Sequence, residues 1–320
     1  MSVPSKILLV GATGAIGRYI TNAIVSVMPS TGQEIAIFTS AATTSSPSKS
    51  ELLSSWKSKG VKVITGDITN ANDVTRAYEG VDTVVSCLGR NALASQIELL
   101  RIAEESNSVK WFFPSEYGTD IEYDNTSKDE KPHQNKLKVR AFIRENIKKV
   151  KCTYIVTGPY ADMFFQLRNP VTGGYDVQEK RAVVIGDGEG RVGLTTMPDV
   201  GKLVVAALQH PEESEGKVLK VQSFVVSPNQ ILEEFEKQTG RDWKVDRVSH
   251  EALRDEEKSL WDAGNPTATG ATLRRIWAEG GTLYEKTDNG LLGLSPQDME
   301  PLSAVVERYS RAVRAGTAPY

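Results

Sequence analysis

Six short apolar, β-branched runs recur through the first half of this 320-residue chain, at 6–10, 34–38, 61–65, 82–86, 110–113 and 152–156. Amphipathic stretches with helical spacing lie between them, at 17–28, 49–60, 71–80, 94–107 and 135–147. Strands that are apolar on both faces and separated by helices fit a parallel sheet covered on both sides, with right-handed crossovers. The predicted class is therefore α/β: a Rossmann-type doubly wound parallel sheet over residues 1–158. After Gly158 the rhythm loosens, and residues 159–320 are read as a smaller C-terminal α/β lobe, with segments at about 181–210 returning to the sheet. A ligand cleft is expected where this lobe meets the carboxyl ends of the strands.

Composition narrows the ligand. A formal net charge of -3, with no block of Lys and Arg, argues against nucleic acid or an anionic lipid surface as partner. No basic and apolar leader opens the sequence and no run of membrane-spanning length occurs, so a cytoplasmic protein with no membrane partner is expected. The cysteines, Cys87 and Cys152, are far apart, and the three histidines (His133, His210, His250) are isolated. A disulfide framework and a His/Cys metal site are both disfavoured, and no metal is expected.

The stretch KILLVGATGAIGRYI, residues 6–20, places Gly11, Gly14 and Gly17 between the first strand and the first helix. In that setting Gly11 permits the tight turn, Gly14 lets the backbone approach a phosphate, and Gly17 lets the helix pack on the strand. The amides around Thr13, Ala15 and Ile16 would then face a pyrophosphate at a helix N-terminus. A site that prefers NAD carries an acid at the end of the second strand for the ribose 2′-hydroxyl. Here the chain reads TSAATTSSPSKSE after Phe38, with no acid before Glu51. Thr39 and Ser40 offer hydroxyls and Lys49 a cation, so NADPH is the expected cofactor, although Lys49 also reads as an ordinary solvated helix lysine.

Hydride transfer needs a group that manages a proton or polarises the acceptor. The Y-x-x-x-K pair of many short-chain reductases is missing: four residues after Tyr117 and Tyr123 stand Ile121 and Ser127. The fifth strand leads instead into PSEYGTD and then HQNKLKVRAFIREN, in which Lys136 and Arg140 share a helix face and Lys138 points away. Glu116 and Asp120 are read as loop-fixing carboxylates, and GDGEG, 186–190, as a hairpin turn between two strands.

FFPSEYG and, after it, KLKVR resemble the corresponding segments of isoflavone reductases, pinoresinol-lariciresinol reductases and phenylcoumaran benzylic ether reductases, within the NmrA-like atypical short-chain dehydrogenases. GATGAIGR, SQIELLRIAEE and VVIGDGEGRVGLTTMPDVGK fit the same pattern, so the resemblance spans roughly residues 5 to 210. It implies that Lys136 is the catalytic lysine beside the nicotinamide ribose, with the lowered pKa that such a role requires. It also implies that Lys49 binds the 2′-phosphate, with Thr39 standing where the family has an arginine. Ser86, Cys87 and Leu88 would pass the cofactor, Cys87 as a small packing residue, and Tyr160 would lie close to the nicotinamide. Tyr117, Tyr160, Met163 and Phe164, with Phe165 and Trp277, are weaker candidates for an apolar substrate pocket, since such residues are as readily core.

Taken with the resemblance, these residues predict an NADPH-dependent reductase delivering hydride to an electron-poor carbon of an aromatic or polycyclic small molecule, which the resemblance places in specialised metabolism. The bond reduced would be C=C, C=N, quinone-like or a benzylic ether, with Lys136 as general acid/base in a monomer or homodimer. The alternative of another class is an NADP-binding redox sensor without turnover. A sugar-nucleotide epimerase or dehydratase lacks its Y-x-x-x-K.

Overall fold

The computed structural model describes residues 2–318. Strands β1 (Lys6–Val10), β2 (Glu34–Thr39), β3 (Lys62–Thr65), β4 (Thr83–Ser86), β5 (Trp111–Phe113) and β6 (Lys151–Cys152) form one sheet. Its order is β3-β2-β1-β4-β5-β6, with every pairing parallel. The chain reverses direction of progress between β1 and β4, which leaves a crevice at the carboxyl ends of those two strands. The doubly wound sheet expected from the alternation is thus the fold of the N-terminal half.

Helices α1 (Gly17–Val27), α2 (Ala41–Thr44), α3 (Pro47–Ser58), α4 (Ala71–Tyr78), α5 (Gln96–Glu105) and α6 (Gln134–Asn146) form the crossovers. The period of two along β1 sorts its side chains between two cores. Ile7 and Leu9 pack with Ile20 and Ile24 of α1, while Leu8 and Val10 pack with Val74 of α4, Leu99 of α5 and Val139 of α6. All are buried, and each such side chain contributes about 1.5–3 kcal/mol on leaving water.

The sixth run is split at Thr153. β7 (Tyr154–Val156) pairs in parallel with β11 (Val218–Lys220), a strand from the C-terminal half, in a separate two-stranded sheet that follows on from β6. Thr153 accounts for the break: its hydroxyl donates to the Ser214 carbonyl and accepts from the Trp111 indole, tying the chain to both sides.

Between these two strands run α7 (Ala161–Phe165), β8 (Gly174–Asp176), β9 (Arg181–Ile185), β10 (Val192–Leu194), α8 (Met197–Gln209) and α9 (Pro211–Ser214). After β11 come β12 (Phe224–Val226), α10 (Pro228–Thr239), β13 (Lys244–Val248), α11 (His250–Asp262), α12 (Ala268–Ala278) and α13 (Leu302–Arg314). A three-stranded sheet β13-β9-β8 and the pair β10-β12 belong to the lobe. Phe165, Tyr175, Phe235, Trp243 and Tyr309 form its aromatic centre.

Of the stretch at about 181–210 expected to return to the sheet, β9 and β10 stay in the lobe, and α8 reaches the Rossmann layer, packing on α1 through Val200, Leu203 and Val204. The hairpin expected at GDGEG is also corrected. β9 pairs with β8 and β13, whereas β10 pairs with β12, so the turn connects two different sheets. Gly186 and Gly188, at φ +63 and +78, turn the chain out of the plane of β9. Among the described residues no helix is long and apolar enough to cross a membrane.

Candidate functional site

The glycine turn rises from the end of β1 into the crevice. Gly11 takes φ +80, and a Cβ there would stand 2.6 Å from the Cys87 carbonyl oxygen, so the β1 and β4 ends approach as closely as backbone allows. A Cβ at Gly17 would drive into the Gly11 carbonyl, which seats α1 tightly on the turn. Gly14 is looser, its Cβ position 3.2 Å from Gly11 O, and its amide donates to that same carbonyl. No side chain caps α1, and among the described residues the Ala15 and Ile16 amides have no acceptor. Unsatisfied donors at the positive end of a helix make an anion site.

Lys49, in the first turn of α3, reaches back so that its Nζ donates to the Thr13 carbonyl at 3.1 Å. A cation therefore stands beside the glycine turn. Thr39 ends β2 half-buried, and Ser40 caps α2, its hydroxyl accepting from the Thr43 amide. No carboxylate occurs in the sequence between Glu34 and Glu51. Uncapped amides, a lysine and hydroxyls without an acid fit a dinucleotide bearing a 2′-phosphate.

Downstream of the turn lies a cavity of about 380 Å³, whose wall includes Gly14, Ala15 and Ile16 on one side and Lys136, Tyr160 and Met163 on the other. Cys87 and Leu88 form part of its floor. The Cys87 thiol is held well above its usual range by burial, and the Leu88 carbonyl accepts from Ser115 Oγ at 2.8 Å. Ser86 is fully buried one residue earlier and does not line the cavity, nor do Gly11, Thr13, Gly17, Thr39, Ser40 and Lys49.

Lys136 projects from the first turn of α6. Its Nζ donates to the Glu116 carbonyl and stands 3.7 Å from Glu116 Oε2. Burial lowers its pKa; the Glu116 carboxylate opposes this, and the Arg140 and Arg90 cations reinforce it. Glu116 in turn accepts from Arg140 Nε at 2.9 Å, and Arg140 also meets Glu122 at 2.8 Å and Asp120 at 3.5 Å. This network locks the loop after β5 to α6. Lys138 is exposed on another face.

Tyr160 donates through its hydroxyl to the Tyr117 carbonyl, and burial raises the pKa of both phenols. Each is therefore a neutral donor at ordinary pH. Tyr117 and Met163 line the cavity, whereas Phe164 faces a second, smaller one and Phe165 belongs to the lobe core. Trp277 of α12 lines both cavities, and its indole N–H donates to Thr119 Oγ1 at 2.9 Å, fixing the lobe to the loop after β5.

His133 and Arg90 also line the larger cavity and were not singled out in the sequence as site residues. His133 Nδ1 lies 3.0 Å from the Ser127 carbonyl, an arrangement that fixes the proton on Nδ1, and its buried Nε2 has no partner. Burial lowers the His133 pKa, so the ring is a neutral acceptor three residues before Lys136. That spacing was the available signal, because i, i+3 positions share a helix face.

Residues 4–260 match the NmrA-like family. The chain is 30% identical over 265 residues to a phenylcoumaran benzylic ether reductase of Pinus taeda, covering 81% of each protein. It is 32% identical over 256 residues to an isoflavone reductase homolog of Zea mays, covering 79% of this chain and 80% of the relative. Among solved structures, an isoflavone reductase superposes with a TM-score of 0.80 at 22% identity, over 97% of this chain and all (100%) of that one. A leucoanthocyanidin reductase–NADPH complex from Vitis vinifera gives 0.80 at 20% identity, over 96% and 100%.

Proposed function

The chain belongs to the NmrA-like family, and on that premise we propose that it is an NADPH-dependent reductase of an aromatic or polycyclic small molecule, with Lys136 as its general acid/base. The observation that carries the reading is a single cavity walled by the uncapped amides of the glycine turn on one side and by the Lys136 ammonium on the other.

Residues of this chain divide the work. Gly11, Thr13, Gly14, Ala15, Ile16 and Gly17 would receive the pyrophosphate; Thr39, Ser40 and Lys49 the 2′-phosphate end; Ser86, Cys87, Leu88 and Tyr160 the nicotinamide half. Bound there, the cofactor supplies a hydride. Lys136, oriented by the Glu116 carbonyl, holds a proton at Nζ for the substrate atom that gains negative charge. Its lowered pKa, set by burial first, makes that proton easier to give than an ordinary lysine's. Tyr117, Met163 and Trp277 would present apolar surface to a flat acceptor. Phe164, on the neighbouring cavity, would touch a different part of the ligand.

The test records nicotinamide absorbance with NADPH and NADH across enones, quinones, imines and benzylic ethers, with Lys136→Ala alongside. The expected result is turnover of at least one acceptor with NADPH and a loss of roughly 10²–10⁴-fold in kcat for Lys136→Ala, with cofactor binding retained. Tight NADPH binding with no acceptor reduced would replace the reductase reading with that of a cofactor-binding sensor.

A further inference from the structure

Beyond Trp277 lies a second, smaller cavity of about 90 Å³ that the reductase reading does not use. Its walls are largely apolar, from Val183 and Ile185 of β9, Val192 of β10 and Phe164 of α7. Two charged side chains, Arg274 and Asp187, and the His250 ring also line it. Arg274, on α12, is only 8% exposed.

A buried cation ordinarily has an acid beside it, because leaving water without one is costly. Lys136, Arg140 and Arg275 all have carboxylates within ion-pair distance. Arg274 has none among the described residues. Its hydrogen bonds run from Nη2 to the carbonyls of Phe164 and Gln166, and its guanidinium carbon lies 4.4 Å from the Phe164 ring centre and 5.7 Å from that of Trp277. Those contacts hold the group in place and cushion its charge without neutralising it. Burial pushes its pKa down to about 10, and the other cation acting on it, Arg168, pushes in the same direction. It still carries its charge at neutral pH.

Of its five donors, those on Nη2 are engaged by the two carbonyls, which leaves the N–H groups of Nε and Nη1 to donate singly to a carboxylate oxygen. The acid on the cavity wall, Asp187, is exposed, and its Oδ1 accepts from the Glu189 amide at 2.9 Å.

We propose that this second cavity is a binding subsite for the carboxylate of an aromatic ligand, with Arg274 as the counter-charge and Phe164 and Trp277 as the ring contacts. Trp277 lines both cavities, so a ligand held at the subsite abuts the larger one. The subsite does not depend on any reaction occurring next door, and its test is a binding measurement.

Isothermal titration calorimetry compares benzoate with benzamide, its neutral counterpart of the same shape, and with acetate. Three proteins are used: wild type, Arg274→Met and Gly190→Leu. Gly190 lies on the cavity wall with a Cβ position no closer than 3.8 Å to its neighbours, so leucine there fills the space while leaving Arg274 intact. Wild type is expected to prefer benzoate to benzamide by roughly tenfold or more. Arg274→Met should abolish the preference and leave benzamide binding unchanged, and Gly190→Leu should weaken both aromatic ligands. Should Arg274→Met fail to fold, Gly190→Leu decides: unchanged benzoate binding in that variant overturns the proposal. Equal affinity of wild type for benzoate and benzamide, a preference that survives Arg274→Met, or acetate binding as tightly as benzoate would also overturn it.

Discussion

Lys136 shows how far single residues could be read from the sequence. Its position on the same helix face as Arg140 came from spacing, but its chemistry comes from the Glu116 carbonyl and from burial, which no periodicity reports. The lowered pKa has a definite sign. As pH rises, Lys136 loses its proton earlier than an exposed lysine near 10.5 would. A reaction that draws that proton therefore slows on the alkaline side at a pH below the usual lysine range. In Lys136→Arg the guanidinium keeps its proton across this range, so the alkaline limb of the kcat profile should disappear while kcat itself falls. A wild-type profile flat up to the ordinary lysine range would contradict the assignment. The same shift enters stability: between the folded and unfolded pKa values the unfolded chain binds more protons, so Lys136 disfavours folding there and stability rises with pH through that window. His133 went unread for a related reason. Burial makes its ring neutral, and the Ser127 carbonyl six residues earlier sets which nitrogen accepts; neither follows from a periodic pattern.

Elements were more legible, because strand and helix periods differ and the glycine turn marks where one yields to the other. The departures have local causes. Thr153 splits the last strand by bonding to both sides, and the glycines of GDGEG carry the chain between sheets rather than back along one. The contact between α8 and α1 could not be read from either helix alone. It centres on Gly201, where a Cβ would stand 2.6 Å from the Tyr19 carbonyl and 2.8 Å from the Ala23 Cβ, so the helices meet backbone to backbone. Gly201→Val should therefore cost about 1–3 kcal/mol through overpacking. Differential scanning calorimetry would register this as a fall in Tm of several degrees. An unchanged Tm would mean that the helices separate without penalty.

At the scale of the molecule, the N-terminal layer is completed from the C-terminal half. α8 covers the apolar side of α1, and β11 supplies the partner of β7. A chain ending at residue 158 would uncover the α1 face around Tyr19 and Ala23 and leave β7 without its partner, both invitations to aggregate. The expected outcome for that truncation is loss of near-UV circular dichroism and of cooperative unfolding, compared with the full chain. A sharp native-like transition would show that the sheet stands without α8 and β11. The rhythm of the sequence leads to an expected sheet over 1–158 and a lobe after it, with segments at about 181–210 returning; which surfaces meet depends on contacts between residues far apart in the chain, which no local pattern reports.

That interleaving decides where two relatives can be recombined. A chimera that joins one protein's first 158 residues to another's remainder would pair an α1 surface with an α8 and a β11 that did not evolve against it. Crossovers that keep 197–220 with the parental sheet, and exchange only 159–196 and 221–320, would carry both walls of the Arg274 cavity across together. Transplanting substrate preference within this family is therefore a matter of two inserts flanking a retained helix and strand.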